Sequence, residues 1–302
     1  MFGFRGGGTG GRSIPRGQSN RPWRYKGSPE KVEPERRLFR RGTLPIWLPV
    51  LQREESDPVD GIGEQFLEGT KYQNMGKSDH SKRLPQPPLT LEWDRAKTPI
   101  PLPRPADIPL GVMSIREAIE ARRSLRSYAP TPLGLEELSY LLWCTQGVQQ
   151  VVPGIRTMRT VPSAGARHAF ETLLLINNVS GLDPGLYRFL ALDHALLEEN
   201  LTPECADRLV EACLGQEFIK SCAATFIWTA EVARMKYRYG ERGYRYLYLD
   251  AGHVCQNLYL AAEAIGCGAC AVAAFADDEV NGVLGLDGVN RFAIYLGAVG
   301  KR

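Results

Sequence analysis

The sequence predicts an α+β fold, because helix and strand patterns are mixed along its second half and two strands are joined by a short turn. Ser114 stands three residues before Glu117, an arrangement that caps the start of a helix. Apolar runs over 172–176 and 186–191 flank the turn sequence Gly181-Leu-Asp-Pro-Gly185. We therefore expect a central sheet, antiparallel or mixed, with helices packed against it.

The other elements follow from hydrophobic periodicity in chain order. A second helix is predicted over 135–146, with Leu138, Leu141, Leu142 and Trp143 as its core positions. Beyond the two strands, we expect a helix over 204–214, a buried strand over 223–230, a long helix over 244–265 and a final strand over 292–299. His253, on the long helix, is expected to be a buried structural group rather than an acid or base.

Composition limits the classes of function. The chain has 302 residues, an apolar content of 43% and a net charge of only +3, so nothing general points to nucleic acid or an anionic membrane as a partner. Its seven irregularly spaced cysteines favour a reducing, cytoplasmic setting. Neither a signal peptide nor a membrane span is predicted. Cys267 and Cys270 are interpreted as buried thiols, and no metal site is expected.

Two regions are expected along the chain. Residues 1–105 are predicted to form an N-terminal extension. Within it, residues 1–27 are rich in glycine, arginine and serine and are therefore predicted to be disordered. Within this extension, prolines are frequent over 84–105, which predicts an extended strap lying over the surface of the domain. Residues 106–302 are expected to form the folded domain.

An arginine cluster follows the first helix of that domain. Arg122, Arg123, Ser124 and Arg126 lie within five positions where the helical pattern stops. Guanidinium groups pair with phosphate through parallel hydrogen bonds, so the cluster predicts an anion site. The alternative is a solvated helix end, whose arginines interact with the helix dipole.

Four segments in this order resemble the nitroreductase-like flavoproteins and, within them, the SagB-type azoline dehydrogenases. They are the arginine cluster, Val161-Pro-Ser-Ala-Gly-Ala-Arg-His168, Gly185-Leu-Tyr-Arg188, and the stretch from Tyr244 to Asn257. The resemblance covers roughly residues 110–302. It implies an FMN-binding α+β fold, a homodimer and active sites at the subunit interface.

The resemblance also implies which residues contact the cofactor. Arg122, Arg123, Ser124 and Arg126 would contact the phosphate and the pyrimidine edge of FMN, and Pro162, Ser163, Ala164 and Gly165 would reach the flavin of the partner subunit. Gln216 would form hydrogen bonds with the edge of the flavin ring. Ala273 and Ala274 stand where the family often has Gly or Glu-Gly near the flavin N5. Lys301 would lie near the phosphate. The alternatives are a simple connector for 162–165, a surface amide for Gln216 and a frayed tail for Lys301.

Lys236 and Tyr237 match the Lys-Tyr pair that assists removal of a ring proton in similar azoline dehydrogenases. A general base requires a lysine whose pKa is lowered, which we expect from burial near other cations. The alternative is that these residues only contribute to a dimer interface or a helix start.

The expected function is therefore that of an FMN-dependent oxidoreductase of the SagB type, acting on a small or peptide-borne heterocycle. One alternative is an NAD(P)H-dependent reductase of nitro groups or quinones. Another is a flavin-fold subunit that has lost turnover, an alternative that the alanines at 273–274 favour.

Overall fold

The computed structural model describes residues 61–202 and 204–302. The predicted disorder of residues 1–27 lies outside the described residues, and the boundary at residue 105 also stays a prediction. Within the described part of the chain, no helix is long and apolar enough to cross a membrane.

A seven-stranded sheet forms the centre of the fold and confirms the predicted α+β class. Its strand order is β1-β6-β5-β4-β7-β9-β8, and every neighbouring pair of these strands is antiparallel. The strands are β1 Ile100–Pro101, β4 Phe170–Ile176, β5 Gly185–Leu190, β6 Ala195–Asn200, β7 Ala224–Glu231, β8 Cys267–Val272 and β9 Arg291–Lys301. The hairpin β2 Val148–Val152 and β3 Arg156–Arg159 forms a separate two-stranded sheet.

Helices cover both faces of the sheet. The helices are α1 Ile62–Gly69, α2 Ile115–Ala121, α3 Leu135–Gln146, α4 Glu204–Ala212, α5 Phe218–Ser221, α6 Val232–Tyr239, α7 Gly243–Ala264 and α8 Asp277–Leu284. One apolar core joins α3 and α7 to one face, and a second joins α4, α5 and α8 to the other. Successive residues of β4 face these two cores alternately, so every residue of the strand is buried.

Most predicted elements are present, with α3 at the predicted bounds and the capping box of Ser114 and Glu117 formed at the start of α2. The sequence analysis missed α1, β1, the β2–β3 hairpin, β6, α5, α6 and α8. The segment that forms β6 contains Leu and Glu, which favour helix, but pairing with β5 holds it extended.

The outer face of α7 is exposed. Tyr248 and Leu249 expose 60% and 59% of their surface, and His253 and Gln256 on the same side are also exposed. The expectation of a buried His253 is therefore wrong, because the residue falls on the side of α7 that faces away from the sheet.

Residues 84–99, which precede β1, contain neither helix nor strand and are held by side chains of the folded domain. Arg234 Nε donates to Pro88 O at 2.9 Å, and Tyr237 Oη donates to Leu84 O at 3.2 Å. The N–H of Leu91 donates to Glu171 Oε1 at 3.1 Å. From here on, the strap means residues 84–99, the part of the predicted 84–105 segment that precedes β1.

Candidate active site

The arginine cluster runs alongside β8. Arg122 caps α2, and the next residues approach the sheet, where Leu125 N–H donates to Ala269 O at 2.9 Å. A Cβ atom at Gly268 would lie 2.4 Å from Leu125 Cδ2, so glycine is required for this approach. The turn after α2 is therefore anchored to the edge strand of the sheet.

Tyr259, on α7, holds this segment in place and was not identified from the sequence. Its Oη accepts the N–H of Ala271 at 2.8 Å and lies 3.0 Å from Ser124 Oγ. The guanidinium carbon of Arg122 lies 5.2 Å from the centre of the tyrosine ring, within cation–π range. A tyrosine on a helix carries no local signal for such a role, because its partners lie far away in the chain.

The charges of Arg122 and Arg126 are not neutralised by carboxylates within the described residues. Nearby acids already have partners: Glu120 pairs with Arg116, Glu263 with Arg302 and Glu137 with Lys301. Arg123 differs, because its Nη1 donates to the carbonyls of Glu120 and Arg122 at 2.9 and 2.8 Å. It therefore caps the end of α2, as the helix-end alternative predicts, whereas Arg122 and Arg126 present uncompensated charge.

Lys301 is the last residue of β9, not a frayed tail. Its ammonium group forms an ion pair with Glu137, and its side chain retains 22% exposure. A phosphate at this position would have to compete with the Glu137 carboxylate, and the cofactor role of Lys301 stays a prediction.

Ala273 and Ala274 follow the end of β8 and are both exposed. Gln216 Nε2 donates to Ala274 O at 2.8 Å and to Cys213 O at 2.9 Å, so the structure brings Gln216 to this strand end. Ala273 lines a cleft of about 260 Å³ between α7 and β9, together with Tyr248, Gly252, Phe275 and Tyr295. The cleft is mainly apolar and aromatic.

The turn over 162–165 lies at the other end of α7. The N–H of Ala164 donates to the buried carboxylate of Asp250, at 3.2 and 3.3 Å from its two oxygens. Burial raises the pKa of Asp250, an effect that its hydrogen bonds with Ser163 and Ala164 oppose. Gly165 adopts a φ of 58°, and a Cβ atom there would lie 2.5 Å from Tyr239 Oη. The turn is thus packed tightly against α6.

Lys236 does not have the lowered pKa that the sequence analysis expected. Its Nζ lies 2.6 Å from Glu241 Oε1, and this hydrogen bond raises the pKa of Lys236, with partial burial opposing it. The side chain is 39% exposed, so burial is too slight to favour the neutral amine.

Tyr237 points away from Lys236 and toward the N-terminal side of the strap. It is buried, and besides the hydrogen bond from its hydroxyl to Leu84, its carbonyl accepts the N–H of His80 at 2.8 Å. The two predicted catalytic side chains therefore do not converge on one point in a single chain.

The predicted site residues thus form two groups within one chain. The first contains Arg122, Ser124, Arg126, Gln216, Ala273 and Ala274, around Tyr259 and β8. The second contains residues 162–165 and α6, around Asp250. Asp250 and Tyr259 are nine positions apart on α7, so the arginine cluster lies about 13 Å along the helix axis from the second group. The cleft at Ala273 is nearer to that group along α7, because it borders Tyr248 and Gly252.

Cys267 and Cys270 are buried free thiols on β8, as the sequence analysis interpreted them. Burial raises the pKa of both, that of Cys267 to about 11. Buried neutral thiols of this kind are poor nucleophiles.

Comparison with known proteins identifies the family. The family model described as the nitroreductase family matches residues 119–301. A nitroreductase-family protein of Methanocaldococcus jannaschii is 34% identical over 190 residues, covering 63% of this chain and 92% of that protein. The fold and these matches define an oxidoreductase, and the chain belongs to the nitroreductase family.

Two further relatives refine the comparison. The trifolitoxin-processing protein TfxB of Rhizobium leguminosarum bv. trifolii is 26% identical over 242 residues, covering 77% of this chain and 64% of that protein. A crystal structure of a nitroreductase-family protein from Anabaena variabilis has a TM-score of 0.53 and 29% identity, covering 62% of this chain and 38% of that chain. The chain therefore spans less than two thirds of the length of these two proteins.

Proposed function

We propose that the protein is an FMN-dependent oxidoreductase whose cofactor phosphate is bound by Arg122, Ser124 and Arg126. The observation that carries this proposal is that Arg122 and Arg126 have no carboxylate partner among the described residues, while Tyr259 holds Arg122 and Ser124 beside β8. Several arginines with a hydroxyl donor match the oxygen acceptors of a phosphate monoester.

We propose that Tyr259 donates to Ser124, which would leave the hydroxyl hydrogen of Ser124 for a bound anion. Because Tyr259 Oη accepts the N–H of Ala271, its own hydrogen is available to Ser124 Oγ. In that orientation the hydroxyl hydrogen of Ser124 is free for an outside acceptor. An anion bound between Arg122 and Arg126 would supply that acceptor.

The cleft beside Ala273 suits the flavin ring. Its lining includes the aromatic residues Tyr248, Phe275 and Tyr295, and an isoalloxazine requires flat, mainly apolar contacts. Ala269, beside the arginine cluster, and Ala273, at the cleft, are four positions apart along the chain, which corresponds to about 13 Å of extended strand. A ribityl phosphate chain attached to a ring has a comparable reach.

We further propose a homodimer that joins the two groups of site residues. Among the described residues, the outer face of α7 is exposed, and Ile115 and Ile119 of α2 expose 75% and 55% of their surface although Ala118 between them is buried. A second copy packed on these faces would bury them. It would also bring its own residues 162–165 and α6 to the arginine cluster of the first copy.

The proposed reaction is oxidation of a small or peptide-borne heterocycle of the azoline type. The likeness to TfxB, a trifolitoxin-processing protein by name, supports the SagB-type branch and this substrate class. Bound FMN would supply the hydride acceptor. Lys236 would accept the proton that leaves the ring carbon, and Tyr237, next to it in the chain, would assist. Because Lys236 is protonated while it pairs with Glu241, it becomes a base only when that pair opens.

The same ion pair favours a second candidate function. A protonated Lys236 can donate a proton to an acceptor that receives hydride, as in reduction of nitro groups or quinones with NAD(P)H as electron donor. The two candidates differ in the direction of electron flow.

FMN binding is tested by gel filtration with excess FMN, followed by the flavin absorbance at about 450 nm. The wild type should retain flavin, and the double variant Arg122→Gln/Arg126→Gln should lose at least about tenfold in affinity, because charge-assisted hydrogen bonds contribute about 1.5–3 kcal/mol each. Arg208→Gln, at an exposed arginine on α4, is the control. Equal retention by all three proteins would refute the phosphate site.

Anaerobic titration then separates the two reactions. Bleaching of the bound flavin by NADH or NADPH supports the reductase. Flavin that is bleached by an azoline-containing peptide but not by either nicotinamide supports the dehydrogenase.

A further inference from the structure

A group of buried arginines lies beneath the strap. Arg159, Arg167 and Arg234 expose only 8%, 8% and 5% of their surface. Arg234 pairs with Glu171, whose Oε1 lies 2.6 Å from Nη2. Buried cations are normally paired, because the loss of hydration costs several kcal/mol per ion.

The other two arginines contact only neutral oxygens among the described residues. Arg167 donates to Gly165 O at 3.1 Å, to Gln86 Oε1 at 2.9 Å and to Ile155 O at 3.1 Å. Arg159 donates to Gln146 Oε1 at 2.7 Å and to Thr157 Oγ1 at 3.3 Å. In the described part of the chain, neither arginine has a carboxylate partner of its own.

Among the described residues, the neighbouring ionisable groups do not neutralise the charges of Arg159 and Arg167. Glu231, the next carboxylate, pairs with Arg291 at 2.6 Å. His168 stays neutral, since burial and the adjacent Arg159 and Arg167 lower its pKa to about 3. Arg156 and Arg238, which are exposed, add further positive charge beside Arg167. The region beneath the strap therefore has an excess of positive charge.

A small cavity lies within this region. It has a volume of about 10 Å³ and is lined by Gln86, Pro87, Pro88, Leu89, Arg167 and Arg234. Nη1 of Arg234 is buried and has no hydrogen-bond partner among the described residues. The two prolines have no N–H group, so the guanidinium groups are the main donors on the cavity wall.

We propose that this cavity binds one small monovalent anion of halide size, such as chloride, between Arg167 and Arg234. A single negative charge would offset part of the buried excess and give Nη1 of Arg234 an acceptor. The volume suits a particle close to the size of a water molecule and excludes a polyatomic anion such as gluconate. The anion would link the strap to the turn that contains Gly165, through Arg167 and Gln86.

The test is thermal unfolding of the full chain at constant ionic strength, with sodium chloride or sodium bromide replacing sodium gluconate. A site in the folded state stabilises in proportion to the logarithm of ligand concentration, so the midpoint should rise by about 3–5 °C for each tenfold increase in halide above its dissociation constant. Identical midpoints in halide and gluconate would overturn the proposal.

Variants assign the effect to this cavity. Arg167→Gln removes one of the two cations and should abolish the difference between halide and gluconate, whereas Glu171→Gln removes the competing carboxylate and should enlarge it. Arg208→Gln, an exposed arginine on α4, should leave the difference unchanged.

A measurement on the wild type does not depend on whether these variants fold. Crystals grown in bromide should show an anomalous peak between Arg167 and Arg234. A halide response without that peak, or one that persists undiminished in a folded Arg167→Gln variant, would also reject the site. None of these readouts depends on flavin, so they are independent of the proposed function.

Discussion

The substitution Tyr259→Phe tests the part that one hydroxyl plays in the phosphate site. It removes the acceptor of the Ala271 N–H and the partner of Ser124, at 2.8 and 3.0 Å, while keeping the ring beneath Arg122. A lost neutral hydrogen bond costs about 0.5–1.5 kcal/mol, and an unsatisfied donor costs somewhat more. Ala271 is half-buried, so water compensates in part. We expect a loss of about 1–2 kcal/mol in the free energy of unfolding.

FMN affinity should fall as well. Without Tyr259 Oη, Ser124 is no longer oriented as a donor, and one charge-assisted hydrogen bond to the phosphate weakens. A loss of about 1.4 kcal/mol corresponds to a tenfold higher dissociation constant. The measurements are urea unfolding of the apoprotein and FMN titration by quenching of flavin fluorescence.

A matched control separates the two effects. Tyr187 is buried on β5, and its hydroxyl donates to Asp183 O at 2.8 Å, away from the arginine cluster. Tyr187→Phe should therefore lower stability without changing FMN affinity. If Tyr259→Phe binds FMN as tightly as Tyr187→Phe does, the proposed orientation of Ser124 is wrong.

Two other predictions concern ionisable groups. Glu241→Gln removes the partner that raises the pKa of Lys236, so any limb of the pH–rate profile that reports Lys236 should move to lower pH. The control Glu211→Gln, at an exposed glutamate, should leave that limb in place. If the limb is unchanged in both variants, it does not report Lys236. The pKa of His168 falls from 6.5 to about 3 on folding, so the unfolded state binds more protons in this interval and stability should decline as the pH falls through it. In urea unfolding, His168→Gln should flatten this decline, and an equal slope in both proteins would contradict the buried neutral histidine.

Local patterns predicted much of the fold. The capping box at Ser114, the bounds of α3 and the β4–β5 hairpin depend on neighbouring residues, so the sequence contains the information directly. The arginine cluster was recognisable for the same reason, since its side chains are adjacent in the chain.

Contacts that form only when the chain folds were not predictable in this way. Tyr259 acquires its role from Ser124 and Ala271, which reach it only when the sheet and α7 pack together. The strand β6 depends on pairing with β5, which overrides its helix-forming residues. The raised pKa of Lys236 depends on Glu241, which the turn between α6 and α7 brings within 2.6 Å.

The sequence by itself determined the α+β class, the order of most elements, the family likeness and the cluster of cationic side chains after α2. These features rest on periodicity and on residues close together in the chain. Only the tertiary structure decided which charges remain uncompensated among the described residues, which hydroxyl lies beside Ser124, and that the predicted site residues do not converge in a single chain. Electrostatic partners and hydrogen-bond directions depend on positions in space, and these are settled when the sheet and helices pack.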